Sequence, residues 1–212
     1  MKKYILLAGM LLGIISTVDA APQFVKFDKA SAENALLLTG TKDTIRYSPS
    51  DWKGVKMAVA NLRHDLRSVT GSEYAPVVVA TVEKSEIAKK YLKQSKLLKG
   101  KWEQYLIFTD KGQLVILGSD KRGTIYGIYE LSRQIGVSPW YWMADAPIAH
   151  HDQLYILPGT YTDGEPKVKY RGIFINDEWP SFGGWCGNQF GGINSKAYSH
   201  IFELLLRLKA NY

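Results

Sequence analysis

From Pro49 the apolar residues Trp52, Val55, Val59, Leu62, Leu66 and Val69 recur every three or four positions, which predicts one amphipathic helix. Ser50 is placed to cap it and Gly71 to end it. Residues 76–82 form a continuous apolar, β-branched run instead, the pattern of a strand covered on both faces. Across 84–101 the spacing turns helical again, with Ile87, Tyr91 and Leu98 (or Leu97) as the apolar side. Residues 105–109 and 114–117 predict two strands, joined by a hairpin turn through Asp110 and Gly112. A loop follows over 118–123, then a helix over 124–135 stopped by Gly136. Residues 137–143 and 154–157 read as strands or extended segments, and the turn-rich stretch 158–166 as a connection between two units.

The second of those units begins near Lys167 with a short apolar strand, 170–175. It runs into Asp177 and Glu178, then into a loop rich in glycine, aromatic and carboxamide residues. A helix over 195–210 closes the sequence, with Tyr198, Ile201, Phe202, Leu205 and Leu208 as its expected buried side. One strand, loop and helix cannot close a sheet. No stop signal precedes Tyr212, so the chain is expected to be the front end of a longer protein.

Composition changes this picture at the N-terminus. Lys2 and Lys3 precede the apolar run 4–15, and Val18 and Ala20 place small residues where a signal peptidase cuts. Residues 1–20 therefore read as a secretory signal peptide, too short and wrongly flanked for a stable membrane span. With no cysteine after the apolar run, no lipid anchor is expected. Export leaves Cys186 as a single cysteine without a partner, best read as a small loop or core residue.

The formal charge of +7 would suggest nucleic acid if it were spread over a surface with arginines and aromatics. It is not. Residues 84–101 hold seven lysines and one glutamate, and beyond them the mature chain is neutral. One solvated helical face accounts for the excess, and nucleic-acid binding is not expected. The loop Gly118-Ser119-Asp120-Lys121-Arg122-Gly123-Thr124 stands where phosphate loops stand, but Thr124 occupies the position that needs lysine, so it is read as a tight strand-to-helix turn. His150 and His151 are adjacent on an extended segment and would point apart, so no metal is expected there. No cofactor is expected either.

The chemistry concentrates in KYRGIFINDEWPSFGGWCGNQFGGIN, residues 169–194. Acids, rings and amides at the C-terminal end of a strand suit a polyhydroxylated substrate, and active sites of α/β proteins sit at such ends. Acid and base catalysis at a glycosidic bond needs two carboxyl groups roughly 5 to 10 Å apart across the bond. Neighbouring residues leaving a strand diverge, so at most one of Asp177 and Glu178 belongs to such a pair. Either could instead cap a helix or bind loop backbone. Trp179, Phe182, Trp185 and Phe190 are many rings for a polar loop, which fits at least one of them lying against a sugar.

With GSDKRGTIYGIYELSRQIGVSPWYWMADAP upstream and FELLLRLKANY downstream, this stretch resembles glycoside hydrolase family 115, the xylan α-1,2-glucuronidases. The resemblance implies an α/β fold class: a small sheet domain over 24–160, like the second domain of β-hexosaminidases, followed over 167–212 by the first strand–helix unit of a (β/α)8 barrel. It implies removal of (4-O-methyl-)glucuronic acid from xylan side chains by an exported enzyme, with Glu178 or Asp177 as the catalytic candidate. Asn176, Trp179, Trp185, Asn188, Asn194 and Arg171 become substrate-binding candidates. The expected partner is glucuronoxylan or another uronic-acid polysaccharide, and a homodimer is among the expected states of the full-length enzyme. The rival expectation is a non-catalytic carbohydrate-binding module that uses the aromatic loop 179–194.

Overall fold

The computed structural model describes residues 22–212, and the expected signal peptide lies outside them. The chain is a mixed α/β protein built on two sheets. Strands β1 (Val25–Lys26) and β2 (Leu36–Leu37) flank β7 (Tyr155–Ile156) in a small antiparallel sheet, order β1-β7-β2. The main sheet has the order β3-β4-β6-β5-β8. In it β3 (Arg46–Tyr47), β4 (Val77–Thr81) and β6 (Gln113–Gly118) are parallel, while β5 (Tyr105–Asp110) is antiparallel to β6 and to β8 (Thr160–Tyr161).

All five residues of β4 are buried, as its unbroken apolar run requires when helices cover both faces. On one face Val77, Val79, Ile107 and Ile116 pack against helix α1 (Lys53–Thr70) and helix α3 (Lys121–Gln134) through Val59, Leu62, Leu66, Ile125 and Ile128. On the other face Val78, Ala80, Leu106 and Leu117 meet Ala88 and Leu98, which belong to a 3-10 helix (Glu86–Tyr91) and helix α2 (Leu92–Leu98). Full burial of one such side chain is worth about 1.5–3 kcal/mol. The lysine-rich segment is thus a broken helix, with Leu98 as its inward leucine and Leu97 exposed.

Several details differ from the sequence expectation. Helix α1 ends at Gly71, in the left-handed region, but its N-cap is Trp52 and not Ser50. Asp51 takes the polar role at that end, accepting from the N–H of Trp52 at 2.8 Å and the Thr81 hydroxyl at 2.8 Å. Helix α3 starts at Lys121, earlier than expected, because Asp120 accepts a bond from the Gly123 N–H at 2.7 Å. Gly118 and Gly123 are explained by close approach: a Cβ on Gly123 would lie 2.3 Å from the Gln104 carbonyl oxygen. The hairpin turn proper is Lys111-Gly112, both at positive φ, the geometry of a tight two-residue connection. Residues 137–143 form turns and no strand, and residues 160–161 of the expected connection add β8 to the sheet edge.

The expected strand 170–175 is the largest difference. Among the described residues the segment pairs in no ladder, and Phe174 is 90% exposed. A strand is defined by its neighbour's hydrogen bonds, and here only the Arg171 carbonyl receives any, from the N–H groups of Asn211 (2.8 Å) and Tyr212 (2.9 Å). The loop after it also holds an unexpected helix, α4 (Phe182–Phe190), ended by Gly191 in the left-handed region. Helix α5 (Ser195–Arg207) buries Ala197, Ile201, Leu204 and Arg207, while Phe202 and Leu208 are exposed. Its inward side is therefore rotated from the expected one. Arg207 decides that rotation: its guanidinium lies between the rings of Tyr129 (4.7 Å) and Tyr141 (4.9 Å) and donates to buried Asp65 at 2.9 and 3.0 Å.

Candidate functional site

The segment carrying the candidate residues is anchored at both ends. At its start, Arg171 donates to Glu103 at 2.5 Å and to the carbonyls of Lys209 (2.8 Å) and Val168 (2.7 Å). Glu103 is buried and also accepts from Asn211 Nδ2 at 2.9 Å. The guanidinium of Arg171 is thereby committed to holding the segment against the sheet domain. At its end, Asn194 caps α5, accepting from Lys196 N–H at 2.9 Å and Ala197 N–H at 3.3 Å while its Nδ2 donates to the Phe190 carbonyl at 2.9 Å. Both ends of this carboxamide are occupied by backbone.

Between the anchors, Asn176, Asp177 and Glu178 are exposed, and among the described residues neither carboxylate has a side-chain partner. The Glu178 carbonyl accepts from the Gly183 N–H at 3.2 Å, tying the start of α4 to the acid pair. The chain then turns through a cis bond between Trp179 and Pro180. Trp179 is 72% exposed, and its ring lies along the glycine face of α4: a Cβ on Gly183 would sit 2.8 Å from its Nε1, and one on Gly187 3.3 Å from its Cη2. The glycines at 183 and 187 are needed for that contact. Asn188 is exposed on the same helix.

Trp185 is placed differently. It stacks on Phe182 (centroids 5.8 Å), meets Phe190 edge-on (5.4 Å) and lies 5.9 Å from Trp142. His200 of α5 completes this nest, 4.7 Å from Trp142 and 5.3 Å from Phe190. Trp142 Nε1 is buried there, with no acceptor among the described residues. Sequence reasoning did not place Trp142 or His200 with the loop; the run Trp140-Tyr141-Trp142 before the second unit was the available signal. Cys186 points into the interior, and burial pushes its thiol up, which suits a packing role. Among the described residues no group of His, Cys, Asp and Glu could hold a metal ion.

The structure thus brings together Asp177, Glu178 and Trp179 as an exposed edge beside an aromatic nest around Trp185, and separates them from Arg171 and Asn194. The model of glycosyl hydrolase family 115 matches residues 163–212, and that of the N-terminus of glycosyl hydrolase family 67 matches residues 53–131. Among solved structures, a family 115 4-O-methyl-α-glucuronidase with specificity for decorated arabinogalactans is 32% identical, with a TM-score of 0.74; the match covers 89% of this chain and 25% of that one. Weaker likenesses are to a chitobiase of Flavobacterium johnsoniae (15% identity, 74% of this chain and 22% of that one, TM-score 0.43) and an N-acetyl-β-hexosaminidase of Streptomyces plicatus (15%, 65% and 24%, TM-score 0.40). No curated protein matches the chain. The chain belongs to glycosyl hydrolase family 115. It spans about a quarter of the length of the family 115 structure it matches.

Proposed function

We propose that this chain is part of an exported α-glucuronidase that removes (4-O-methyl-)glucuronic acid from polysaccharide side chains, with glucuronoxylan as the expected polymer. The observation that supports it best is the acid pair Asp177–Glu178, exposed beside Trp179 and without a side-chain partner among the described residues, in a member of a glycoside hydrolase family. One of the two carboxylates would contact the sugar as acid or base, and the opposing carboxylate would come from outside these residues, completing the pair across the bond. In this reading residues 167–212 start a (β/α)8 barrel, whose second strand would lie beside Arg171 where Asn211 and Tyr212 now bond. Trp179 would offer its free face to the sugar ring, with Asn176 and Asn188 as hydrogen-bonding neighbours. Arg171 and Asn194 would shape the site through the backbone they hold. Export to the periplasm or exterior rests on residues 1–20, and no nucleic acid, membrane anchor or cofactor enters the reading.

The specificity of the similar structure for decorated arabinogalactans makes the polymer the first thing to measure. In the full-length protein, Glu178→Gln should lower release of glucuronic acid from glucuronoxylan by about 10²–10⁴-fold, the usual cost of losing a general acid or base. Near-normal turnover would remove Glu178 from the catalytic group and move attention to Asp177. Release from decorated arabinogalactan but not from glucuronoxylan would overturn the choice of xylan while keeping the activity. The 212-residue chain alone should release none. Retention on xylan without cleavage by the full-length protein would favour a binding module that uses Trp179.

A further inference from the structure

Adjacent parallel strands β4 and β6 send the chain to opposite sides of the sheet. After β4 it enters the 3-10 helix and α2, packed on the face of Val78 and Ala80; after β6 it enters α3, on the face of Val77 and Val79. Such a divergence opens a crevice beyond the carboxyl ends of the two strands, the place where open α/β sheets take ligands. Here it is a cleft of about 220 Å³ bounded by Trp52, Glu83, Glu103, Asp120, Lys121 and Arg122. That is below the usual size of a pocket for large ligands and suits one small ring.

The charges around this cleft are not equivalent. Asp120 is used up by the N–H groups of Gly123 and Glu103, both at 2.7 Å, and Glu103 by Arg171 and Asn211. The rim is different. Among the described residues Lys121 forms no ion pair; Lys84 is not one of the residues bounding the cleft and stands over the Trp52 ring, its Nζ 5.2 Å from the centroid. Arg122 is half exposed, with only 3.4 Å contacts to Glu103 and to the Asn211 carbonyl. Glu83, exposed, is the one rim acid and also has no cation within ion-pair distance among the described residues. One uncommitted lysine, a half-exposed arginine, a partly exposed indole and one hydroxyl-accepting carboxylate match a sugar that carries a single negative charge.

We propose that this crevice is a second carbohydrate site, which takes one uronic acid unit of a polysaccharide. The carboxylate of the sugar sits against Lys121 and Arg122, its ring lies against Trp52, and Glu83 accepts from its hydroxyls. The choice of ligand rests on the reading of the chain as acting on uronic-acid glycans, but the site is separate from Asp177 and Glu178. It would hold the polymer while the other unit works on it.

The test follows the indole N–H resonance of Trp52, assigned by its absence in Trp52→Phe, while the full chain is titrated with D-glucuronate, glucose or acetate. Glucuronate should shift it saturably, and glucose and acetate should bind roughly tenfold more weakly or not at all, the effect of a lost charge-assisted contact. Lys121→Gln, an exposed change that leaves the fold intact by circular dichroism, should weaken glucuronate by about the same factor. A resonance unmoved by glucuronate, moved equally by acetate, or unaffected in its titration by Lys121→Gln would overturn the proposal. Glucuronidase activity of the full-length protein is a separate readout: its absence alongside a saturable Trp52 shift would defeat the catalytic reading and leave this site standing.

Discussion

Glu130 shows how one side chain ties the C-terminal segment to the sheet domain. It is buried on α3 and accepts from Arg133 (2.5 Å), Gln134 (3.0 Å) and Lys209 (2.7 Å). Burial works to raise its carboxyl, but these partners outweigh it and hold the group below the usual carboxylate range. A carboxyl depressed on folding contributes stability that is present above its unfolded pKa and is lost as pH falls through the folded one. Urea unfolding should therefore show stability falling from neutral pH toward pH 3, with a smaller fall in Glu130→Gln. An equal fall in both proteins would assign the acid sensitivity elsewhere. Tyr126 is pushed up to about 12 by burial beside Glu103, so its hydroxyl stays protonated and donates to the Ala210 carbonyl at 2.9 Å. None of this was visible in the sequence. Glu130 sits in the helix expected over 124–135, but its partners lie as far away as Lys209, and residue order does not reveal such meetings.

At the scale of elements, caps and close approaches carry the predictions. Asn194→Ala removes the oxygen that satisfies two N–H groups of α5 and should cost about 1 kcal/mol in urea unfolding. Because the same carboxamide holds the Phe190 carbonyl, the aromatic nest should loosen too, seen as a change in tryptophan emission; unchanged stability would show that the cap is dispensable. Gly123→Ala would drive a Cβ against the Gln104 carbonyl, backbone on both sides, and should cost about 1–3 kcal/mol. A neutral result would mean that α3 can shift at little cost. The helices and strands of the sheet domain were legible because period and burial agree there, as in the fully buried β4. The expected strand 170–175 failed for the opposite reason: its pattern is right, but no neighbouring edge bonds along its length. Helix α4 was hidden by its three glycines, Gly183, Gly184 and Gly187, which argue against a helix locally but lie against the Trp179 ring.

The whole molecule is held together by polar contacts between the sheet domain and the final segment. Arg207 to Asp65 is the most buried of them, with side chains 2% and 0% exposed. Arg207→Met leaves Asp65 uncompensated and should destabilise by about 3–5 kcal/mol in urea unfolding, while adding Asp65→Leu should recover part of that loss. If the double substitution is as unstable as Arg207→Met alone, the stacking between Tyr129 and Tyr141, and not the ion pair, carries the junction. Lys209, Arg171 and Asn211 add further bonds across the same boundary, so the segment bearing Asp177 and Glu178 leaves from a fixed base.

What the sequence determined by itself was set by local periodicity and by residue chemistry. The helix at 53–70, the buried strand at 77–81, the hairpin, the closing helix and the concentration of acids and rings at 176–194 follow from spacings of two, three and four residues. Tertiary structure decided which of those residues are free. It bound Arg171 and Asn194 into the framework, gathered Trp185 with Trp142 and His200, left Asp177, Glu178 and Trp179 open, and set Trp52 beside Lys121, a lysine without an ion pair among the described residues, at the parting of β4 and β6. Those outcomes depend on contacts between residues tens of positions apart, where hydrogen bonds and ion pairs are chosen by the fold as a whole.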